Sequence, residues 1–322
     1  MVRRMVLAFA ALLVLIAAPI LLAPWYGWGD TPGKAVTITV AKGASLARVA
    51  DDLQKAGLIS SEGQFRVMAR LLGSGAPVQA GTYRLQSGQG WRHYLEALQS
   101  GEVQRFAITI PEGMPSILVA ERLRAEPRLS GDIPVPAEGS VLPETYAFSP
   151  GEPRAKVLAR MQKAMADALK DLWPARRPAT AVTSPQDAVI LASIVEKETG
   201  KDAERRMVAG VYSNRLRIGM KLDADPTLIY PITAGKPLGR RIRLSEKNRD
   251  TGYNTYLKPG LPRGPVANPG RASIAAVLDP ADTDAYYFVA DGTGGHIFAR
   301  TLAEQNANRE RWFTLRRQRG EM

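Results

Sequence analysis

From Ala188 to Val195 the only polar side chain is Ser193. A helix that is apolar all the way round must be buried on every side, so this chain has to build a domain thick enough to enclose one. The start of that helix is well specified. Ser184 can cap it, Pro185 suits its first turn and Asp187 can close a capping box. Its far end carries two carboxylates, Glu196 and Glu198, with Gly200 as the expected stop. A carboxyl at the mouth of an apolar core is a candidate general acid, because desolvation disfavours its charged form. Glu196 stacks over Ala192 and Val189, at i−4 and i−7, and Glu198 points about 200° away around the helix. This places Glu196 at the pocket mouth. The competing reading is an ion pair of Glu196 with Lys197, Lys201 or Arg205, a common arrangement at helix ends.

Composition removes several chemistries. The chain has 322 residues, enough for roughly two domains of ~150 each. It has no cysteine, which excludes disulfides, thiolate zinc sites, iron–sulfur clusters and a cysteine nucleophile. Its two histidines, His93 and His296, are too few for a multi-histidine metal cage and argue against a Ser-His-Asp relay. Neither a metal nor an organic cofactor is expected. The formal net charge of +12 favours an anionic surface or polymer as partner.

The amino terminus indicates the compartment. Residues 1–4 form a short tail ending in Arg3-Arg4, and residues 5–25 form an uncharged, largely apolar stretch. Met5 to Ala23 is long enough to span a bilayer core of ~20 apolar residues. Trp25, Tyr26 and Trp28 follow where aromatic rings favour the headgroup level. With the basic residues in front, the tail stays cytoplasmic and the body lies outside the inner membrane, as a single-pass protein. A cleaved signal peptide usually has a shorter apolar core of ~7–15 residues, and a twin-arginine signal rests on Arg3-Arg4 alone. An exported body argues against a nucleic-acid partner.

Residues 26–35 read as a linker through Asp30-Thr31-Pro32-Gly33. Residues 36–105 form the next unit: a strand at Val36 to Val40, a Lys42-Gly43 turn, a helix from Ser45 to Lys55, a strand at Gly81 to Leu85 and a helix from Trp91 to Leu98. The first part recurs at Ile108, where Ile38, Thr39, Gly43, Val49, Ala50 and Leu53 match Ile108, Thr109, Gly113, Val119, Ala120 and Leu123. Residues 106–153 hold this second strand–helix unit and a Pro/Gly-rich connecting loop. Residues 154–316 form the main domain, opening on a helix from Arg154 to Leu172, and residues 317–322 are a basic tail. The strand–glycine–cap–helix start of both copies is similar to that of LysM carbohydrate-binding modules. The fold class is thus α+β: an N-terminal transmembrane helix, LysM-like strand–helix modules and a mixed α+β catalytic domain.

Downstream, loops rich in Asn, Tyr and Thr suit a carbohydrate groove. Five segments in order resemble the endolytic murein transglycosylase (YceG-like) family: Leu191 to Thr199, Asp225-Pro226-Thr227, Tyr253 to Tyr256, Gly260 to Gly270, and Tyr287 to Arg300. The resemblance covers about Val36 to Phe313. It implies cleavage of the β-1,4 bond between N-acetylmuramic acid and N-acetylglucosamine in peptidoglycan glycan strands. A 1,6-anhydro-muramyl end is formed, and nascent strand length is limited beside penicillin-binding synthases. It implies Glu196 as the catalytic residue, acting first as acid and then as base, with Asp225, Asn254, Tyr256 and Asn268 around the substrate. Family members often carry Glu-His-Asn where this chain has Glu304-Gln305-Asn306, and Gln305 cannot titrate; Asp223-Ala224 also departs from the pattern. Two other functions compete. One is a hydrolase of the same bond, with Glu198 or Asp225 as second carboxylate. The other is a membrane-tethered, wall-binding scaffold.

Overall fold

The computed structural model describes residues 18–101 and 105–321. It divides into two compact units, Met1–Phe106 with Ala147–Gly151 and Ala107–Tyr146 with Glu152–Met322. Among the described residues, three two-stranded sheets and many helices make a mixed α+β architecture. Among the described residues no helix is long and apolar enough to cross a membrane. Most of the expected anchor, residues 5–17, lies outside the described residues; residues 18–26 are helical.

In the first unit, strands Ala35–Val40 (β1) and Gly81–Gln86 (β2) pair antiparallel, with Ile38 opposite Tyr83. Helices Leu46–Lys55 (α1), Glu62–Leu72 (α2) and Trp91–Ser100 (α3) pack with them. Ser45 caps α1 as its position suggests, accepting from the Arg48 N–H at 3.3 Å. The sequence reading does not anticipate α2, because only Phe65 and Ala69 of this helix are fully buried and its apolar pattern is correspondingly weak. Trp25 corrects the headgroup expectation. It is 1% exposed and lies 6.4 Å from Phe65 in the core, leaving Tyr26 and Trp28 on the surface.

Strand Phe106–Thr109 (β3) pairs with Thr145–Phe148 (β4). Helix Ser116–Ala125 (α4) follows β3, so the echo of β1–α1 is real as local structure. It stops there: no counterpart of α2 follows α4, and the chain continues as turns.

The second unit is built around the apolar helix. Helix Pro185–Glu198 (α6) has every residue from Ala188 to Val195 buried. It lies against Asp202–Arg217 (α7) and Arg271–Leu278 (α10), with Arg154–Leu172 (α5) completing the enclosure. Burying each large aliphatic side chain stabilises by about 1.5–3 kcal/mol, so Leu191, Ile194 and Val195 dominate this core. Short helices Pro226–Thr233 (α8) and Leu244–Lys247 (α9), the hairpin Tyr287–Ala290 (β5) with His296–Ala299 (β6), and Leu302–Gln318 (α11) complete the unit. Ser193, the one polar residue in the buried face, is fully used: its hydroxyl donates to Ile190 O at 2.7 Å and accepts from Val266 N–H at 3.0 Å.

Residues 107–146, which the sequence reading sets outside the main domain, belong to this unit. Asn268 explains why. It is 0% exposed; Oδ1 accepts from Val141 N–H at 3.0 Å, and Nδ2 donates to Met114 O at 2.9 Å and Ser116 Oγ at 3.0 Å. One side chain thus ties the Gly260–Gly270 loop to two loops more than a hundred residues earlier. Asn268→Ala leaves buried partners unpaired, at about 1–3 kcal/mol for each unsatisfied group. Urea denaturation should show a loss of at least about 2 kcal/mol; an unchanged midpoint would contradict this role.

Candidate active site

The structure separates the two carboxylates that end α6. Glu196 is not among the residues that line the cleft of this unit described below. Its side chain is 5% exposed, Oε2 accepts from the Gly270 N–H at 2.8 Å, and Oε1 lies 3.7 Å from Arg205 Nη2. Arg205 also holds Glu112 at 3.0 Å and Asp202 at 2.6 Å. A Cβ at Gly270 would fall 2.0 Å from Glu112 Oε1, so a side chain there would push the Glu112 carboxylate from its present position. This is the ion-pair alternative, with Arg205 as the partner. The expectation that Glu196 lines the main cleft is therefore corrected: the helix rotation that places it over Ala192 turns it toward Arg205 and the Gly270 turn.

Glu198, two residues on, lines a cleft of about 470 Å³ together with Asp225, Tyr256, Tyr287, Gln305 and Arg309. That volume is in the range of small-ligand sites. Burial pushes the Glu198 carboxyl up to about 7; the negative charge of Asp225 adds to this, while the Tyr212 hydroxyl and Arg215 oppose it. Desolvation therefore prevails over a hydrogen bond and a nearby cation, as expected where a carboxyl is largely withdrawn from solvent. Tyr212 is fully buried and its phenol is held far above its ordinary range by burial and by the Glu198 charge, so it serves as a fixed donor. Arg215 is committed to backbone, donating to Tyr286 O at 2.7 Å and Leu222 O at 2.6 Å. The helix ends at Thr199, which turns to extended backbone at φ −135°; Gly200 supplies no left-handed stop.

Two motifs assemble the opposite wall. The Thr227 and Thr255 hydroxyls are buried and 2.9 Å apart, and Thr227 donates to Ala224 O at 2.6 Å. This lock places Asp225 and Tyr256 side by side, with the Tyr256 hydroxyl donating to Asp225 Oδ1 at 2.6 Å. Lys247 lies over the Tyr256 ring at 4.9 Å. Asp223, also in the cleft, has φ 49°, a left-handed conformation that is uncommon outside glycine and recurs at functional sites.

The sequence-derived site residues therefore divide. Asp225 and Tyr256 meet in the cleft. Asn254 does not line it: Nδ2 donates to Lys247 O and Arg249 O at 2.8 and 2.9 Å, and Oδ1 accepts from Tyr256 N–H, so it shapes the loop that presents Tyr256. Asn268 is buried in the network described above. Glu304 caps α11 with Thr301, and Gln305 donates from Nε2 to Phe288 O at 2.9 Å while lining the cleft. His296 is structural, its Nδ1 2.8 Å from Glu204 Oε2. Among the described residues no group of three or more His, Asp or Glu is placed to hold a metal ion.

Among the cleft residues, Glu198 enters the sequence reading only as the second carboxylate of the hydrolase alternative, and Tyr212, Arg215, Tyr287 and Arg309 are not assigned to the site. A signal for Glu198 exists. Its i−4 and i−7 neighbours are Ile194 and Leu191, both larger than the Ala192 and Val189 beneath Glu196, so the same desolvation argument favours Glu198 more strongly.

The similarities to known proteins agree with this architecture. A protein named endolytic murein transglycosylase from Bacillus subtilis is 28% identical over 316 residues, covering 88% of this chain and 86% of its own length. One from Streptococcus pneumoniae is also 28% identical, over 82% of this chain, which spans only 56% of that relative. A crystal structure of a YceG-like protein from Listeria monocytogenes covers 85% of this chain and 99% of its own, at 25% identity and a TM-score of 0.50. The model of the YceG-like family matches residues 38–311, and the chain belongs to that family.

Proposed function

We propose that this chain is a murein transglycosylase that cleaves the β-1,4 bond between N-acetylmuramic acid and N-acetylglucosamine, with Glu198 as its single acid and base. The observation that carries this reading is a buried carboxyl, pushed up to about 7, opening onto a cleft walled by tyrosines and Asp225. At neutral pH much of Glu198 holds a proton that it can donate to the leaving glycosidic oxygen. The resulting carboxylate then takes the proton of the muramyl C6 hydroxyl as that oxygen attacks C1. A 1,6-anhydro end forms and no water is consumed. Because the nucleophile belongs to the same sugar, no second carboxylate is needed to activate it. Well-oriented intramolecular attack can lower a barrier by about 7–11 kcal/mol in favourable cases. Tyr256 and Tyr287 offer ring faces for sugars, and the names of the Bacillus and Streptococcus relatives support murein as the polymer. The apolar amino-terminal run fits a bilayer anchor, which would put the cleft beside the wall and its penicillin-binding synthases.

Hydrolysis is the second reading, because Asp225 shares the cleft and could activate water. Mass spectrometry of digested sacculi separates the two: anhydro ends are expected, and reducing ends alone would assign the hydrolase.

Glu198→Gln should lower cleavage by about 10²–10⁴-fold, the usual contribution of a general acid, with the fold retained by circular dichroism. Glu196→Gln keeps an acceptor for Gly270 N–H and should retain activity within about tenfold, while losing some stability because Arg205 keeps only two of its three carboxylate partners. The reverse ranking would return the acid to Glu196. Equal cleavage by both variants and the native protein would exclude both glutamates as the acid, and no cleavage by the native protein would leave only the scaffold reading.

Both activity and stability should depend on Glu198 ionisation. Activity should fall as pH rises through about 7, as the proton is lost. The folded protein holds that proton more tightly than the unfolded chain. Its stabilising effect is therefore complete below the ordinary carboxylate value of 4.5 and lost above about 7. At pH 8 the Glu198→Gln protein should be more stable than the native one by about 1–3 kcal/mol, a difference that closes near pH 4. Thermal melts across this range test the sign.

A further inference from the structure

Among the described residues, helix α2 keeps part of an apolar face exposed. Val67 is 56% exposed, Leu71 76% and Leu72 45%, while Phe65 and Ala69 face the core. Helical spacing puts Gln64, Val67, Met68 and Leu71 in one stripe. Leu21 and Leu22, from the helical residues 18–26, share a groove of about 420 Å³ with Val67, Met68, Leu71 and Leu72. A contiguous exposed patch of this kind marks an interaction surface.

Three observations select its occupant. First, Leu21 and Leu22 end an apolar run that begins at Met5, so the stripe continues the greasiest segment of the chain. Second, Arg66 and Arg70 lie one turn apart on the same helix, about 100° and 60° around it from Val67, and make no ion pair among the described residues, which leaves two cations on the flank of the helix next to Val67. Third, Tyr26 and Trp28 stack with ring centroids 5.1 Å apart, and both are exposed just beyond the run. Apolar side chains edged by arginines and interfacial aromatics are the composition of a surface that lies in a headgroup layer.

We propose that α2 rests in the interface of an anionic bilayer, its Val67–Leu72 stripe sunk at the headgroup–acyl boundary and its arginines against lipid phosphates. The first unit then contacts the membrane at two points, through the apolar run and through α2. This rests on the reading of the run as a bilayer anchor, which flotation tests separately.

The lack of native cysteines makes the experiment clean. Full-length Leu71→Cys and Lys42→Cys proteins are labelled with an environment-sensitive dye and reconstituted into phosphatidylcholine–phosphatidylglycerol vesicles. Both proteins should float with the vesicles. The dye at position 71 should shift to the blue and be quenched by nitroxide-bearing lipid at least about twofold more than at position 42. Charge reversal at Arg66 and Arg70 should weaken that quenching and leave flotation intact. A water-like dye at 71 on floating protein overturns the proposal and spares the anchor. A blue-shifted dye that lipid nitroxide cannot quench means that a second protein copy or another chain covers the stripe, and also overturns it. Failure to float overturns the anchor and this proposal together.

Discussion

A helix without a hydrophilic face can be solvated only at its ends, and the enclosure of α6 by α7, α10 and α5 is the constraint on which the second unit depends. Backbone groups at the end of such a helix, and any charge placed there, meet protein instead of bulk water. The fold supplies partners where it can: Ser193 holds Val266, and Gly270 offers its N–H to Glu196. Where it does not fully compensate, a carboxyl is left with a raised proton affinity. That uncompensated group, Glu198, faces the cleft.

The contrast between Glu196 and Glu198 shows how little separates structure from chemistry. Both are glutamates in the last turn of one helix. One meets an arginine and a backbone donor, which suit a fixed anion. The other meets a buried phenol, a carboxylate and a cation already committed to carbonyls, which leaves desolvation dominant. The acidic motif around Asp225 gains its place in the cleft through two buried threonines that do no chemistry themselves. Much of what is distinctive in the loops is of this kind. Asn254, Asn268 and Glu304 hold loops and a helix end in position, and their side chains are spent in doing so.

Local signals were the most readable part of the chain. Ser45 and Ser184 cap helices, and α5 spans Arg154 to Leu172 as its pattern suggests. Helix α2 was hard to read because part of its apolar face is not buried in its own unit. Membership of residues 107–146 was hard for another reason: contacts such as Asn268 to Val141 join positions far apart in the chain, and periodicity carries no information about them.

By itself the sequence determined that one helix must be wholly buried, that it ends in two carboxylates, and that neither cysteine nor a histidine cage takes part. Tertiary structure alone decided which carboxylate meets a guanidinium and which lines the cleft with its proton affinity raised. Helical geometry sets only the angle between the two side chains. The identity of what waits at each angle, Arg205 with the Gly270 turn or the cleft of Asp225 and Tyr256, depends on segments distant in the chain being brought together by the common core.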